Sequence, residues 1–429
     1  MAQKLPPESL AAAERVNVAC RQPYGAWLDS ALVHPDLGRV SLLGEKPFLV
    51  LRSRGSEVEL EENGRITRLH ASPFAALRDI LREHKDRPQG GAIGYFAYEL
   101  KKHVERLPQQ AQDDLTVPEC YLCFYDRLHR FDPRLTAPAA SLSTRQTTNG
   151  DFGKLRSTFS REAYRRAVER ALRYIVEGDI YQVNLSQRFD AATDEDPFDL
   201  YHRLREINPA PFAAYLNYPE LQVLSASPEC FLRYDPATRI VQTRPIKGTR
   251  PRGTTPEADE ALARDLLTSE KDRAENAMIV DVERNDVGRV AVVGSVHAPE
   301  LMALERFATV FHLTSTIEAR LPPECDAVDL LLATFPSGSI TGAPKIRAME
   351  IIDELEPTVR SVYTGAIGYI GFDGSLGLSV AIRTMLVKDG RAYFHAGGGI
   401  VADSDPDAEY EETLDKARAL ARAVLSTGG

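Results

Sequence analysis

Gln242-Thr243-Arg244-Pro245-Ile246-Lys247-Gly248-Thr249-Arg250-Pro251-Arg252 follows a hydrophobic run and ends in turn-forming residues. It reads as a strand running into a loop. Alternation puts Thr243, Pro245 and Lys247 on one face of that strand and Arg244 and Ile246 on the other. Lys247 stands between an aliphatic residue and a glycine, a poor place for an ordinary solvated charge. If it faces a pocket, burial and the neighbouring cations Arg244, Arg250 and Arg252 lower its pKa and make it a better nucleophile. The segment alone leaves a second reading open, a strand-end lysine that binds a substrate carboxylate.

Outward from this stretch, strand pairs followed by a helix recur to the end of the chain. Several strands alternate and several helices are amphipathic. The expected fold is α+β, a large two-lobed sandwich of packed antiparallel sheets with helices on the outer faces, layered α/β/β/α. No repeat of 20–50 residues stands out. The chain divides into an α/β region 1–132, a linker 133–157 rich in Pro, Ala, Ser, Thr and Asn, and a region 158–425. In the first, Trp27-Leu28-Asp29-Ser30-Ala31-Leu32 and Phe48-Leu49-Val50-Leu51-Arg52 read as strands, and 75–84 as a helix after Ser72-Pro73. Gly90-Gly91-Ala92-Ile93-Gly94-Tyr95-Phe96 is a glycine-rich strand for tight packing, with no Lys-Ser/Thr or helix after it to make a phosphate loop. Ser160-Arg161-Glu162-Ala163 opens a helix that stops at Gly178, and a strand begins at Ile180.

The 429 residues are 43% hydrophobic, enough for a large core, and the net charge is -10. That balance argues against a nucleic-acid partner, which wants a basic patch. No apolar run approaches the ~18–20 residues of a membrane span, and the first residues lack the apolar core of a signal peptide. Five scattered cysteines do not make a disulfide framework, so a cytoplasmic location is expected. Cys120 and Cys123 form a lone CxxC in an apolar run and read as core residues rather than a zinc site.

Two stretches carry acids at helical spacing. Asp272 and Glu275 share a face, with Ala274, Met278 and Val282 expected as the buried row. Glu409, Glu412 and Lys416 share another, with Tyr410, Leu414, Ala417 and Ala421 expected beneath. Each set alone reads as a solvated face. Facing one cleft, the two would suit Mg2+, which takes carboxylates, waters and an anionic substrate group. Phe335–Lys345 is a turn-rich loop before a helix, where backbone N–H groups attract an anion. Gly397-Gly398-Gly399 is either a tight turn or a place where backbone meets ligand. Tyr363 and Arg383 bracket a strand pair; Arg383 lies in the apolar Val380-Ala381-Ile382-Arg383-Thr384 and needs an anionic partner, a substrate carboxylate being one candidate.

Together these stretches resemble the chorismate-utilising enzymes: component I of anthranilate synthase and of aminodeoxychorismate synthase, and the isochorismate and salicylate synthases. The resemblance is carried over 159–423 by Ser227-Pro228-Glu229, Arg284-Asn285-Asp286, His312-Leu313-Thr314-Ser315-Thr316, the loop from Gly338 to Lys345 and the run from Gly397 to Lys416. It implies Glu275 and Glu412 as direct Mg2+ ligands, with Asp272 and Glu409 acting through waters. It implies Tyr363, Arg383 and the Gly397-Gly398-Gly399 backbone as the clamp on the enolpyruvyl carboxylate. Glu229 would be the general acid, and Thr249, His312, Thr341 and Lys416 would line the pocket. Gln182 stands where the water-using synthases carry a lysine base, which points to an amine-transferring member. Pro245-Ile246-Lys247-Gly248 is similar to the aminodeoxychorismate synthase component I motif, whereas anthranilate synthases carry alanine in place of the lysine. The implied reaction joins chorismate and ammonia through a Lys247 adduct at C2, giving 4-amino-4-deoxychorismate for para-aminobenzoate and folate. No glutaminase cysteine is evident, so a separate glutaminase subunit is implied as the ammonia source. Cys230 and Gly377 depart from the family's usual residues.

Overall fold

The computed structural model describes residues 7–32, 37–38, 40–133, 152–307 and 310–425. Two large antiparallel sheets pack against each other. The first runs, neighbour to neighbour, through Gly342–Ala343, Gln182–Ala192, Arg391–Ile400, Thr384–Lys388, Gln222–Ser227, Phe212–Asn217, Ala26–Asp29, Ser41–Gly44 and His129–Phe131. The second runs through Ile246–Pro251, Val310–Arg320, Ile240–Arg244, Cys230–Asp235, Leu376–Val380, Ala366–Gly371, Gly91–Phe96, Cys120–Tyr125, Leu49–Arg54, Glu57–Glu62 and Arg65–His70.

Burial in three layers explains why the strands alternate. Leu42, Ile93, Tyr95, Tyr121, Leu216, Val223 and Ile367 fill the space between the sheets. The outer face of the first sheet is covered by helices Pro197–Ile207 and Pro406–Leu425, through Phe198, Leu204, Leu420 and Val424. The outer face of the second is covered by Pro73–Glu83 and Ala327–Thr334, through Phe74, Leu77, Leu330 and Leu331. This is the α+β sandwich expected from the pattern. Each fully buried Leu, Ile or Phe contributes roughly 1.5–3 kcal/mol of transfer free energy.

Local signals act where the sequence places them. The Ser160 hydroxyl caps helix Arg161–Val176 by accepting from Ala163 N, and Gly178 ends it at φ 85°. Gly94 has no room for a side chain, since a Cβ would collide with the Tyr121 carbonyl on the next strand. Cys120 and Cys123 are buried and free; one faces the helices and the other the inter-sheet core, so they cannot share a metal.

The linker 133–157 falls largely on 134–151, outside the described residues. Chain on either side of it enters the same sheets. Ala26–Asp29 pairs with Phe212–Asn217, and Gly91–Phe96 pairs with Ala366–Gly371. Among the described residues no helix is long and apolar enough to cross a membrane.

Candidate active site

The opening stretch becomes two collinear strands, Ile240–Arg244 and Ile246–Pro251, along one side of Val310–Arg320. Register holds from Thr243 to Ile246 and shifts between Ile246 and Thr249. Gly248 takes φ 83° there, a left-handed conformation that glycine permits at low cost. Lys247 rides on this bulge, a device that re-aims side chains beside active sites. Its Nζ donates to Ser339 O at 2.9 Å. Its pKa is depressed, by burial first, with Lys416 adding and Glu275 and Glu229 opposing. The three arginines expected to depress it are neutralised instead: Arg244 pairs with Glu305, Arg250 with Asp265 and Asp272, and Arg252 with Asp259.

Lys247 opens into a cavity of about 520 Å³ between the two sheets' ends. Glu229 lines it just ahead of strand Cys230–Asp235, buried, and accepts a long 3.4 Å bond from Ile246 N. Burial pushes its carboxyl up to about 7; Glu283 adds to that shift, while the Ser339 hydroxyl and Lys247 oppose it. His312 is buried and its pKa is pushed down to about 3 by burial and Arg383, so it is a neutral imidazole, with Nδ1 2.9 Å from Thr249 Oγ1. Both line the cavity.

Helices Glu270–Gly288 and Pro406–Leu425 bring their acids to one wall. Asp272, Glu275 and Glu412 line the cavity. Burial raises the Glu275 pKa, with Asp272 and Glu412 adding to the crowding. Glu409 lies behind, buried; Ser404 Oγ donates to its Oε1 at 2.6 Å, while Oε2 is buried without a partner. Burial raises Glu409 too. Glu412 is also penalised by burial, but Lys416 Nζ at 2.6 Å holds its carboxyl below the ordinary range. Among the described residues, no three His, Cys, Asp or Glu side chains form a ready cage for a metal. Asp272 is turned to Arg250 and Glu412 to Lys416. The donors nevertheless fit a hard cation: crowded carboxylates at raised pKa and one orphaned buried oxygen are what a divalent charge relieves.

The buried face of Glu270–Gly288 differs from the expected Ala274, Met278 and Val282. It carries Asn276, Ile279, Val280, Glu283, Asp286 and Val287, whereas Ala274 is exposed. Val287 joins the hydrophobic core, while the polar members of the face meet loop backbone and hydroxyls. Glu283 accepts from Thr243 Oγ1, Ser337 Oγ and Gly338 N. The loop before Lys345 therefore already holds an anion, the chain's own Glu283. Asp286 pairs with Lys345 at 2.7 Å.

The glycine run is no turn; it lies in strand Arg391–Ile400, paired with Gln182–Ala192. A Cβ on Gly399 would strike Gln182 Nε2, and one on Gly398 would press on the Glu409 and Glu412 carboxylates. Gly397 and Gly399 line the cavity; Gly398, Gln182, Thr341 and Glu409 stand behind its wall. Gln182 and Thr341 are buried, Gln182 with Oε1 unpartnered and Thr341 bonded to the Ser337 and Gly338 carbonyls. Tyr363 and Arg383 both line the cavity. Arg383, at φ 49°, sits where the chain crosses from the second sheet to the first; its NH1 donates to Asn208 Oδ1 at 3.2 Å, and burial lowers its pKa. Among the described residues no carboxylate pairs with it, so a bound anion has an open partner there.

Lining residues overlooked in the sequence are Asn184, Lys271, Ser339 and His395. Alternation points to two of them: Asn184 follows Gln182 by two, and His395 precedes Gly397 by two. His395 stacks on Tyr363, centroids 4.9 Å apart. Cys230 and Gly377, which depart from the resemblance, line a separate cavity of about 210 Å³ with Leu28, Asp29 and Ser30, away from Lys247.

The profile of the family described as chorismate binding enzyme matches residues 43–422, starting well before the 159–423 on which the sequence resemblance rests. The chain is 41% identical to aminodeoxychorismate synthase component 1 of Escherichia coli (strain K12), over 94% of this chain and 93% of the relative. It is 39% identical to anthranilate synthase component 1 of Acetivibrio thermocellus, over 91% and 88%. Among solved structures it resembles anthranilate synthase component I from Streptococcus pneumoniae, with TM-score 0.77 and 33% identity over 91% of this chain and 94% of that one. With its fold and nearly its whole length matched in this way, the chain belongs to the chorismate binding enzyme family.

Proposed function

We propose that this chain is the chorismate-converting component of an aminodeoxychorismate synthase, forming 4-amino-4-deoxychorismate from chorismate and ammonia. Relatives bearing the aminodeoxychorismate and anthranilate names are similarly close, so the choice rests on the site. The observation that carries it is Lys247, a cavity-lining amine of lowered pKa on a strand bulge beside a carboxyl raised to about 7.

In this reading the neutral amine of Lys247 bonds to C2 of chorismate. The ring double bond shifts, and the C4 hydroxyl leaves as water with the proton from Glu229. Ammonia then bonds to C4, the double bond shifts back, and Lys247 departs carrying the proton that ammonia sheds. Arg383 and Tyr363 hold the enolpyruvyl carboxylate, with the backbone of the glycine run close by. Gln182, an amide, offers no base to activate water, so ammonia is the nucleophile at C4. Glu275 and Glu412 would hold Mg2+ directly, with Asp272 and Glu409 supporting through waters. The bound metal supplies a positive charge for the ring carboxylate. A separate glutaminase subunit supplies ammonia, in keeping with the "component 1" names of the relatives.

The anthranilate-named relatives favour one rival, direct attack of ammonia at C2; isochorismate or salicylate formation would need water activated where Gln182 stands. Chorismate, Mg2+ and ammonium salt given to the purified chain should yield 4-amino-4-deoxychorismate, identified by mass and ultraviolet spectrum. Anthranilate or isochorismate as the main product would overturn the proposal.

A further inference from the structure

Separate stretches of the cavity wall converge on one buried guanidinium behind it. Arg360 is 1% exposed and is not among the residues that line the cavity. Its NH2 donates to Asn184 O at 2.7 Å, and its NH1 donates to Ile340 O at 3.0 Å and to Thr364 Oγ1 at 3.3 Å. Nε and NH2 also donate to Glu356, at 2.8 and 2.7 Å. Glu356 accepts in turn from Ser186 N and Ser186 Oγ, each at 2.8 Å. Asn184, Ile340 and Tyr363 line the cavity. Tyr363 is held at both its backbone groups: its N donates to Arg360 O at 3.1 Å, and its carbonyl accepts from Thr364 Oγ1 at 2.6 Å.

We propose that Arg360 is a positioning residue for substrate binding: locked by Glu356, its guanidinium fixes Asn184, Ile340 and Tyr363 relative to one another in the wall that receives the enolpyruvyl carboxylate. This role rests on the reading of Tyr363 with Arg383 as the clamp on that carboxylate. A buried charge is costly unless it is paired and hydrogen-bonded. Here each N–H of the arginine fork meets an acceptor, so the fork has one orientation. Stability alone does not account for the pair, since apolar side chains of like volume often serve a core as well or better. An apolar pair cannot bind two backbone carbonyls from different segments and fix their spacing. Nor can a lysine, a point charge with three donors in place of a planar fork.

The test reads binding rather than turnover. Chorismate is titrated by calorimetry with Mg2+ and without ammonia, in a Lys247→Ala background so that no adduct forms. The temperature is one at which circular dichroism shows every variant folded. Arg360→Met removes the fork, and Arg360→Lys keeps only the charge. Both should weaken chorismate binding by about 10-fold or more, within the roughly 10²-fold that a 1 Å misplacement far from the chemistry can cost. Arg205→Met is the control: Arg205 is also buried, against Asp29, and neither of them lines this cavity. It should lower Tm and leave chorismate affinity unchanged. Parent affinity in both Arg360 variants, full recovery in Arg360→Lys, or an equal loss in Arg205→Met overturns the proposal. If the Arg360 variants do not fold, Thr364→Val decides. It keeps the pair with Glu356, removes the hydroxyl that joins Arg360 to Tyr363, and should weaken chorismate binding several-fold; unchanged affinity overturns the proposal. Because no product is read, anthranilate formation by the parent chain would sink the assigned reaction and leave the positioning role standing.

Discussion

Lys247 and Ser339, 92 positions apart in the chain, meet through a 2.9 Å bond from Nζ to the Ser339 carbonyl. That bond uses one N–H and leaves a neutral amine its lone pair. Ser339, Lys247 and Glu229 line the same cavity, so the loop residue that holds the amine stands beside the proposed acid.

Lys247→Ala should abolish most 4-amino product, since a covalent route that splits one hard substitution into two is lost. Incubating the parent enzyme with chorismate and no ammonia, then quenching and digesting, should reveal by mass spectrometry an adduct on the peptide containing Lys247. If the alanine variant forms the product at the parent rate, the lysine is electrostatic and not nucleophilic.

Glu229→Gln should lower kcat by roughly 10²–10⁴-fold, the usual yield of general acid–base catalysis. The parent rate should be bell-shaped in pH. Raising pH through about 7 removes the Glu229 proton, and lowering pH protonates Lys247, whose pKa lies below that of an ordinary lysine. Both changes remove the active form. The glutamine variant should lose the Glu229 ionisation from its profile; a profile unchanged in shape would count against the acid role.

Glu275→Gln and Glu412→Gln should each weaken Mg2+-dependent substrate binding by about 10-fold or more, given that even outer-shell losses cost that much. Titration calorimetry with and without metal measures it. Glu412→Gln should also release Lys416 from its 2.6 Å pair. Full turnover after exhaustive chelation would rule the metal out.

The isolated chain should turn over with ammonium at alkaline pH, where free ammonia is plentiful, and show no glutamine-dependent activity until a glutaminase subunit is added. Glutamate released from glutamine by this chain alone would refute the separate-subunit account.

Gly399→Ala should impair the site without touching a reacting group, because the new Cβ would strike Gln182 Nε2. Overpacking of this kind costs typically 1–3 kcal/mol. A lower Tm with a raised KM is the expected pair of results, and a parent-like KM would show that Gln182 can move aside freely.

Local chemistry was legible in the sequence wherever the determining contacts are near in the chain. Alternation marked the strands, Ser160 and Gly178 bounded a helix, and the spacing of Asp272 with Glu275 and of Glu409 with Glu412 put acids on shared faces. Residue types around Lys247 suggested a pocket. Tertiary structure alone decided what neutralises what. Arg244, Arg250 and Arg252 look like a cationic nest in sequence, yet each finds a carboxylate from elsewhere in the fold. The Glu270–Gly288 helix looks apolar at i, i+4, yet buries Asn276, Glu283 and Asp286, because its neighbours are loop N–H groups and hydroxyls that need acceptors. Gly397-Gly398-Gly399 reads either as a tight turn or as backbone that meets a ligand until its partner strand is known. Periodicity reports how a residue relates to its own element; charge balance, hydrogen-bond direction and pKa depend on groups brought together from distant parts of the chain, and only the folded packing of two sheets brings them together.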